Sequence, residues 1–148
     1  MSDCKVMDKI EQILSLIRPG KSWEEKSGGL WLEDPDLDVE NMARVMVKAG
    51  ARLVTVSASP PDTGEFRLIY HWDMDGNLLN CVTLTSQGAL PAIAGTCPAA
   101  DWIEQEIHDY YAVSFTGRDL PSLMLNEHDR PGIFAGKFQR RLKAGGRQ

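Results

Sequence analysis

Four side chains suited to chemistry lie in one short stretch of the sequence: Glu104, Glu106, His108 and Asp109. Glu104 and His108 are four positions apart, so on a helix they can share a metal ion or exchange a proton. One glutamate and one histidine make half a metal site at best, and we therefore predict no metal site here. Glu106 and Asp109 are three positions apart and repel one another when both are ionised. Such a pair can work in acid–base catalysis or can hold a cationic side chain.

In proteins, a pair of carboxylates binds a cationic side chain more often than it acts in acid–base catalysis. Arg118 and Arg130 are nearby candidates, and a neighbouring protein can also supply the cation. On a helix Trp102 flanks Glu106 and Asp109, so the two carboxylates would share a partly apolar shelf with an indole. A partly desolvated surface of this kind is where binding energy concentrates in a docking site.

A helix over residues 101–111 would position these groups. Its apolar stripe has the spacing of an amphipathic helix and comprises Ile103, Ile107, Tyr110 and Tyr111. The side predicted to face solvent carries Asp101, Gln105 and His108. Asp101 is the predicted N-cap, paired with Glu104 in an acidic capping box, and Pro98 offers a second possible start. Residues 113–116 alternate and are expected to be extended.

A β-hairpin is predicted between residues 66 and 85. Large apolar side chains alternate with polar ones along its first strand: Phe66, Leu68, Tyr70 and Trp72. Asp75-Gly76 predicts a tight turn, which would pair Trp72 with Leu79 and Tyr70 with Cys81. His71 lies on the polar side of this strand. It is either a half-exposed strand histidine or a proton-active group near a partner subunit.

The remaining elements complete the predicted fold. Residues 5–17 have the spacing of an amphipathic helix, and a second helix is expected between an N-cap at Asp38 and Gly50. Residues 30–32 and 52–57 are further strand candidates. We therefore predict an α+β fold with two layers, in which helices pack on one face of a mainly antiparallel or mixed sheet.

The predicted domain covers residues 1–125, and a polar, basic tail covers residues 126–148. This tail is either solvated or an arm that orders only on a partner. A chain of 148 residues with a net charge of -5 suits one ordinary domain and argues against a nucleic-acid-binding protein. No apolar run approaches the ~18 residues that cross a bilayer, and no signal peptide is evident, so we expect a cytoplasmic location.

The cysteines are Cys4, Cys81 and Cys97, widely spaced and without a C-x-x-C motif. This pattern is typical of reduced thiols and provides neither an iron–sulfur nor a zinc site. The sequence also lacks a phosphate-binding glycine loop, a G-x-S-x-G motif and an H-E-x-x-H motif.

Residues 102–117, W-I-E-Q-E-I-H-D-Y-Y-A-V-S-F-T-G, resemble the signature of the C-type hydrophilic subunit of respiratory complex I, often called the thirty-kilodalton subunit. The family includes relatives in energy-converting membrane-bound hydrogenases, and its pattern is close to W-x-E-R-E-x-x-D-x-F-G-I-x-F-x-G-H-P-D-L. The matching residues are Trp102, Glu104, Glu106, Asp109, Tyr111, Phe115 and Gly117. Gln105 replaces an arginine, Ala112 a glycine, and Arg118-Asp119 a histidine and a proline. With a histidine at position 108, this stretch is more similar to the hydrogenase-side members of the family than to the NADH-side members.

The resemblance implies a non-catalytic subunit of a complex-I-like redox assembly, either an NADH–quinone oxidoreductase or an energy-converting hydrogenase. It implies docking on the large catalytic subunit, the 49 kDa or nickel–iron-hydrogenase-like one. Iron–sulfur clusters and flavin or a nickel–iron centre would then be held by other subunits, with no cofactor on this chain. Partner subunits would hold it at the inner face of the cell membrane. The expected docking residues are Trp102, Glu104, Glu106, His108, Asp109, Tyr111, Phe115, Gly117 and Arg118.

Two alternatives remain open at this point. One is a small free-standing enzyme that uses Glu106, His108 and Asp109 as acid and base. The other is an adaptor unrelated to respiration.

Overall fold

A computed structural model describes residues 3–60, 64–123, 125 and 129–134. The predicted tail, residues 126–148, lies outside the described residues apart from 129–134. The predicted domain boundary after residue 125 therefore stays a prediction.

The described residues form three α-helices: α1 over Asp3–Ile17, α2 over Val39–Ala49 and α3 over Asp101–Tyr111. The ends of α2 follow the prediction. The Asp38 carboxylate accepts a hydrogen bond from the backbone N–H of Asn41 at 3.0 Å and caps the first turn. Gly50 adopts the left-handed conformation (φ 85°) and donates its N–H to carbonyls of the last turn.

In the part of the chain that the structure describes, the strands form one five-stranded sheet and one two-stranded sheet: β1 Glu24–Lys26, β2 Gly29–Glu33, β3 Arg52–Ser59, β4 Arg67–Met74, β5 Asn77–Leu84, β6 Ala89–Pro91 and β7 Ser114–Thr116. The order in the larger sheet is β1-β2-β5-β4-β3, and β6 pairs with β7. Only the β2–β5 pairing within the larger sheet is parallel, so this sheet is mixed. The sequence does not predict β1, because its three residues are polar and all exposed.

The β4–β5 hairpin has the predicted register. Trp72 lies opposite Leu79 and Tyr70 lies opposite Cys81. Asp75 and Gly76 form the turn with positive φ angles of 49° and 88°. The large side chains of β4 therefore point to one face of the sheet.

That face of the sheet packs against all three helices in a single core. Its fully buried members include Ile10 and Ile13 of α1, Met42 and Met46 of α2, and Tyr70, Trp72 and Leu79 of the sheet. Ile107 of α3 belongs to the same cluster. The predicted α+β fold, with helices on one face of a mixed sheet, is confirmed. The opposite face of the sheet carries side chains such as Ser57, His71 and Asn80.

Candidate functional site

The first turn of α3 differs from the prediction. A short 3₁₀ helix, Pro98–Ala100, leads directly into α3, so Ala100 is at the N-cap position and no side chain caps the helix. The Asp101 carboxylate accepts a hydrogen bond from Gln105 Nε2 at 3.0 Å instead. The predicted capping box is therefore wrong, and Pro98, the second possible start, begins the 3₁₀ helix that precedes α3.

Glu104 is the most deeply placed ionisable group near the start of α3, and 1% of its side chain is exposed. Its Oε2 accepts a hydrogen bond from the backbone N–H of Ile93 at 2.8 Å. Its Oε1 accepts one from Arg118 Nη1 at 3.2 Å. Burial raises the pKa of Glu104, and the hydrogen bonds from Ile93 and Arg118 oppose this shift in part.

Arg118 joins the end of β7 to the start of α3. Besides Glu104, it contacts Asp101 twice, through the carboxylate Oδ1 at 2.5 Å from Nη2 and through the carbonyl oxygen at 3.2 Å from Nη1. The hydrogen bond from Gln105 and the contact with Arg118 lower the pKa of Asp101. Arg118 is one of the two cations predicted for Glu106 and Asp109, but in the structure it contacts Glu104 and Asp101 instead.

Asp109 holds the chain that follows α3. Its side chain is fully buried, and Oδ2 accepts a hydrogen bond from the backbone N–H of Leu123 at 2.9 Å. Its carbonyl oxygen accepts a hydrogen bond from the N–H of Gly132 at 2.8 Å. Because Asp109 is buried while Glu106 is exposed, the predicted carboxylate shelf is not formed.

The outer side of α3 presents Trp102 and Glu106. Trp102 is 71% exposed, the largest exposed fraction of any large apolar side chain among the described residues. Glu106 is exposed and lies one helical turn further along. His108 is half-buried, and its Nδ1 donates a hydrogen bond to the carbonyl oxygen of Val113 at 2.8 Å.

The other predicted docking residues serve mainly to complete this region of the fold. Phe115 is buried in the core. Tyr111 is half-buried and packs against Phe66, with ring centroids 5.6 Å apart. Gly117 is exposed and has a positive φ of 88°, which lets the chain turn between β7 and Arg118. The predicted docking set thus divides into buried and exposed side chains, and its role in docking stays a prediction.

The sequence does not identify the structural roles of two polar side chains, Gln105 and Glu65. Gln105 is predicted to face solvent but is buried, and its Nε2 donates a hydrogen bond to the Asp101 carboxylate. Glu65 accepts hydrogen bonds from the Thr85 hydroxyl and from the backbone N–H groups of Gln87 and Gly88. No local pattern identifies Glu65, because its partners lie about twenty residues further along the chain.

In the described part of the chain, no three side chains of His, Cys, Asp or Glu lie close enough together to hold a metal ion. The three cysteines are free thiols, and burial raises the pKa of Cys81 to about 12. Among the described helices, none combines the length and the apolar character that a membrane span requires.

Comparisons with known proteins give a family and two similar folds. Residues 35–133, more than half of the chain, match the family described as "Respiratory-chain NADH dehydrogenase, 30 Kd subunit". A chain in the structure of the membrane-bound sulfane sulfur reductase, an archaeal respiratory membrane complex, aligns with a TM-score of 0.69 and 23% identity, over 86% of this chain and 79% of that chain. A trypsin-resistant fragment of Nqo5 aligns with a TM-score of 0.59 and 22% identity, over 78% of this chain and 99% of that chain.

At these identities the two solved structures show likeness of fold alone. No curated protein sequence gives a significant match to the chain. The match to the family covers the hairpin, the whole of α3 and the loop that carries Arg118. The resemblance seen in residues 102–117 is thereby confirmed, and the chain belongs to the family of the 30 kDa subunit of the respiratory-chain NADH dehydrogenase.

Proposed function

We propose that this chain is a non-catalytic hydrophilic subunit of a complex-I-like redox assembly and docks on its large catalytic subunit through the outer side of α3. Membership of the 30 kDa subunit family supports the first part of this proposal. The exposure of Trp102, 71% of the side chain, is the observation that carries the second part.

An exposed tryptophan leaves a large apolar area in contact with water. A partner that covers this area lowers the free energy of the complex. Tryptophan is enriched among the residues that dominate binding energy in protein interfaces. Glu106, one turn from Trp102 on the exposed side of α3, adds a negative charge that suits an arginine or lysine on the partner.

The surface is already fixed before binding. Glu104 and Asp109 hold the inner side of α3 through Arg118 and through the backbone of Leu123. A helix anchored in this way loses little conformational freedom on association, which favours affinity. The buried members of the predicted docking set therefore act by positioning, while Trp102 and Glu106 make contact.

The finer features of the assembly are part of the same proposal. Iron–sulfur clusters and flavin or a nickel–iron centre are held by other subunits, and partner subunits keep this chain at the inner face of the cell membrane. Both types of assembly, NADH–quinone oxidoreductase and energy-converting hydrogenase, agree with the fold. One similar structure comes from an archaeal respiratory membrane complex and the other is Nqo5.

The test is co-purification of a tagged chain with the products of the neighbouring genes. We expect a large subunit of the hydrogenase or quinone-site type to be recovered with the wild-type chain. Trp102→Ala should weaken this association at least about tenfold. The free energy of unfolding of the Trp102→Ala variant should differ from that of the wild type by no more than about 0.5 kcal/mol, because 71% of Trp102 is exposed.

Leu16→Ala is the matched control, since Leu16 is a large apolar residue on α1 that is 63% exposed. This variant should bind the large subunit as the wild type does. Elution of the wild-type chain alone under mild conditions contradicts the proposal, and equal binding by Trp102→Ala removes α3 from the interface.

The acid–base enzyme is the weaker alternative in this structure. Glu106 is exposed whereas Asp109 is buried and bonded to the backbone, so the two carboxylates do not converge on one reacting atom. An activity lost in Glu106→Gln with the assembly intact would nevertheless favour the enzyme.

A further inference from the structure

Three neighbouring strands bring Ser57, His71 and Asn80 together on the sheet face opposite the helices. His71 of β4 lies directly opposite Asn80 of β5 in the register. Ser57 Oγ is 2.9 Å from His71 Nε2, and His71 Nδ1 is 2.6 Å from Asn80 Oδ1. The three side chains form a continuous line of hydrogen bonds across β3, β4 and β5.

The direction of each hydrogen bond in this line follows from its last member. Asn80 Nδ2 donates to the carbonyl oxygen of Leu30 at 3.2 Å, so the amide oxygen of Asn80 faces His71. Because an amide oxygen can only accept, His71 Nδ1 carries the proton in the neutral ring. His71 Nε2 then has a free electron pair, which accepts a hydrogen bond from the Ser57 hydroxyl.

We propose that this chain, although non-catalytic in the redox reaction of its assembly, has in Ser57 a nucleophile that is activated by His71, is oriented by Asn80 and takes acyl groups from esters with good leaving groups. A serine bonded to Nε2 of a histidine, whose Nδ1 is held by a third group, is the arrangement that activates a serine hydroxyl. Ser57 is half-buried and lies on the edge strand β3, away from the helices. We expect a small reagent to reach its hydroxyl from the edge of the sheet.

The acyl transfer balances without a further reagent. Ser57 Oγ attacks the carbonyl carbon and its proton passes to His71 Nε2. The carbon–oxygen bond to the leaving alcohol breaks, the alcohol takes the proton from His71, and an ester remains on Ser57. Water hydrolyses this ester in a second step.

The chemistry of the three residues limits the substrate class. Asn80 is uncharged and stabilises the imidazolium form of His71 less than an aspartate would. None of the three side chains donates a hydrogen bond to the oxyanion that forms on the substrate. We therefore expect reaction with activated esters and phosphoryl fluorides and no cleavage of amides.

The test uses the full chain and a fluorophosphonate, with the labelled residues identified by mass spectrometry. Ser57 Oγ attacks phosphorus, fluoride leaves with the breaking of the P–F bond, and the proton passes to His71. We expect label on Ser57, none on the neighbouring Ser59, and unchanged labelling of Ser57 in Ser59→Ala. His71→Gln should slow the labelling of Ser57 by about 100-fold or more.

The comparison of Ser57 with Ser59 needs no variant, because both lie on β3 and project from the same face. It remains decisive if His71→Gln fails to fold. Equal labelling of the two serines overturns the proposal, as does a folded His71→Gln variant that is labelled at the wild-type rate. The line of hydrogen bonds is then a cross-strand contact that fixes the register of the sheet.

Discussion

The Glu104 carboxylate and the Arg118 guanidinium are in contact at 3.2 Å, and 1% and 16% of their side chains are exposed. The pair connects α3 to the segment that follows β7, and Glu104 also accepts a hydrogen bond from the backbone N–H of Ile93. A charge this deeply buried is costly without its partner, so the pair matters more to the fold than an ion pair at the surface.

We predict that Arg118→Ala lowers the free energy of unfolding by about 3 kcal/mol, the lower end of the range for breaking a buried pair. We expect a loss of stability at the lower end of this range because Arg118 itself is partly exposed and Glu104 can take up a proton. Urea denaturation measures the change. Arg67→Ala is the control: it breaks the exposed pair with Glu33 and should cost about 1 kcal/mol or less.

Glu104 should also make stability depend on pH. An acid whose pKa is higher in the folded chain binds more protons when folded, so the free energy of unfolding falls as the pH rises. The contribution of Glu104 is fully present below its ordinary pKa of 4.5 and is lost as the pH rises through the raised pKa of the folded state. The Glu104→Gln variant has no ionisable group at this position, so its stability should lack this dependence on pH.

We therefore expect the stability difference, wild type minus Glu104→Gln, to decrease as the pH is raised from about 4 toward neutral. Denaturation curves across this range measure it. Glu106→Gln, an exposed change on the same helix, controls for the loss of one negative charge. A stability difference that grows with pH would contradict the burial of Glu104 as the dominant cause of its shift.

Glu65 should have the opposite pH dependence. The hydrogen bond from Thr85 is the largest cause that lowers the pKa of Glu65, followed by the N–H of Gly88. Its contribution to stability is present above the ordinary pKa of 4.5 and is lost as the pH falls through the lowered pKa.

Glu65→Gln should thus be less stable than the wild type at about pH 7, and the two should converge as the solution is acidified below about pH 4. The midpoint of urea unfolding at each pH measures this. Glu25→Gln, an exposed change on β1, controls for the loss of one negative charge. A constant gap between Glu65→Gln and the wild type would show that the carboxylate charge is not involved.

The hairpin and α2 could be predicted because residues within each element determine its structure without contacts from elsewhere in the chain. Alternation fixes which side of β4 is buried, and Asp75-Gly76 fixes the turn, so the register of Trp72 against Leu79 follows. Asp38 and Gly50 mark the ends of α2 by side-chain and backbone chemistry that needs no other element.

The inner side of α3 could not be predicted by the same rules. A helical pattern places polar residues toward solvent, yet Glu104, Gln105 and Asp109 are buried. Each of them finds its partner in another segment or by turning back along the helix, through Arg118, Leu123 or Asp101. Long-range pairing of this kind leaves no periodic signal in the sequence, although the family resemblance marks two of the three positions.

The turn between β1 and β2 offers a test of the close approach of β2 to β5. Gly28 and Gly29 both have positive φ, 88° and 147°. A Cβ at Gly28 would meet open space, whereas a Cβ at Gly29 would overlap the carbonyl oxygen of Leu78 at the start of β5. Both substitutions by alanine strain the backbone, but only the second also forces the two strands apart.

We expect Gly28→Ala to cost about 1 kcal/mol, the penalty of a left-handed backbone at a residue with a Cβ. Gly29→Ala should cost about 2 to 4 kcal/mol, because the overlap with Leu78 adds to the strain. Urea denaturation of the two variants side by side measures the difference, with Gly28→Ala as the matched control. Equal losses would mean that β2 can move away from β5 without disturbing the core, and that the parallel pairing of these strands contributes little to stability.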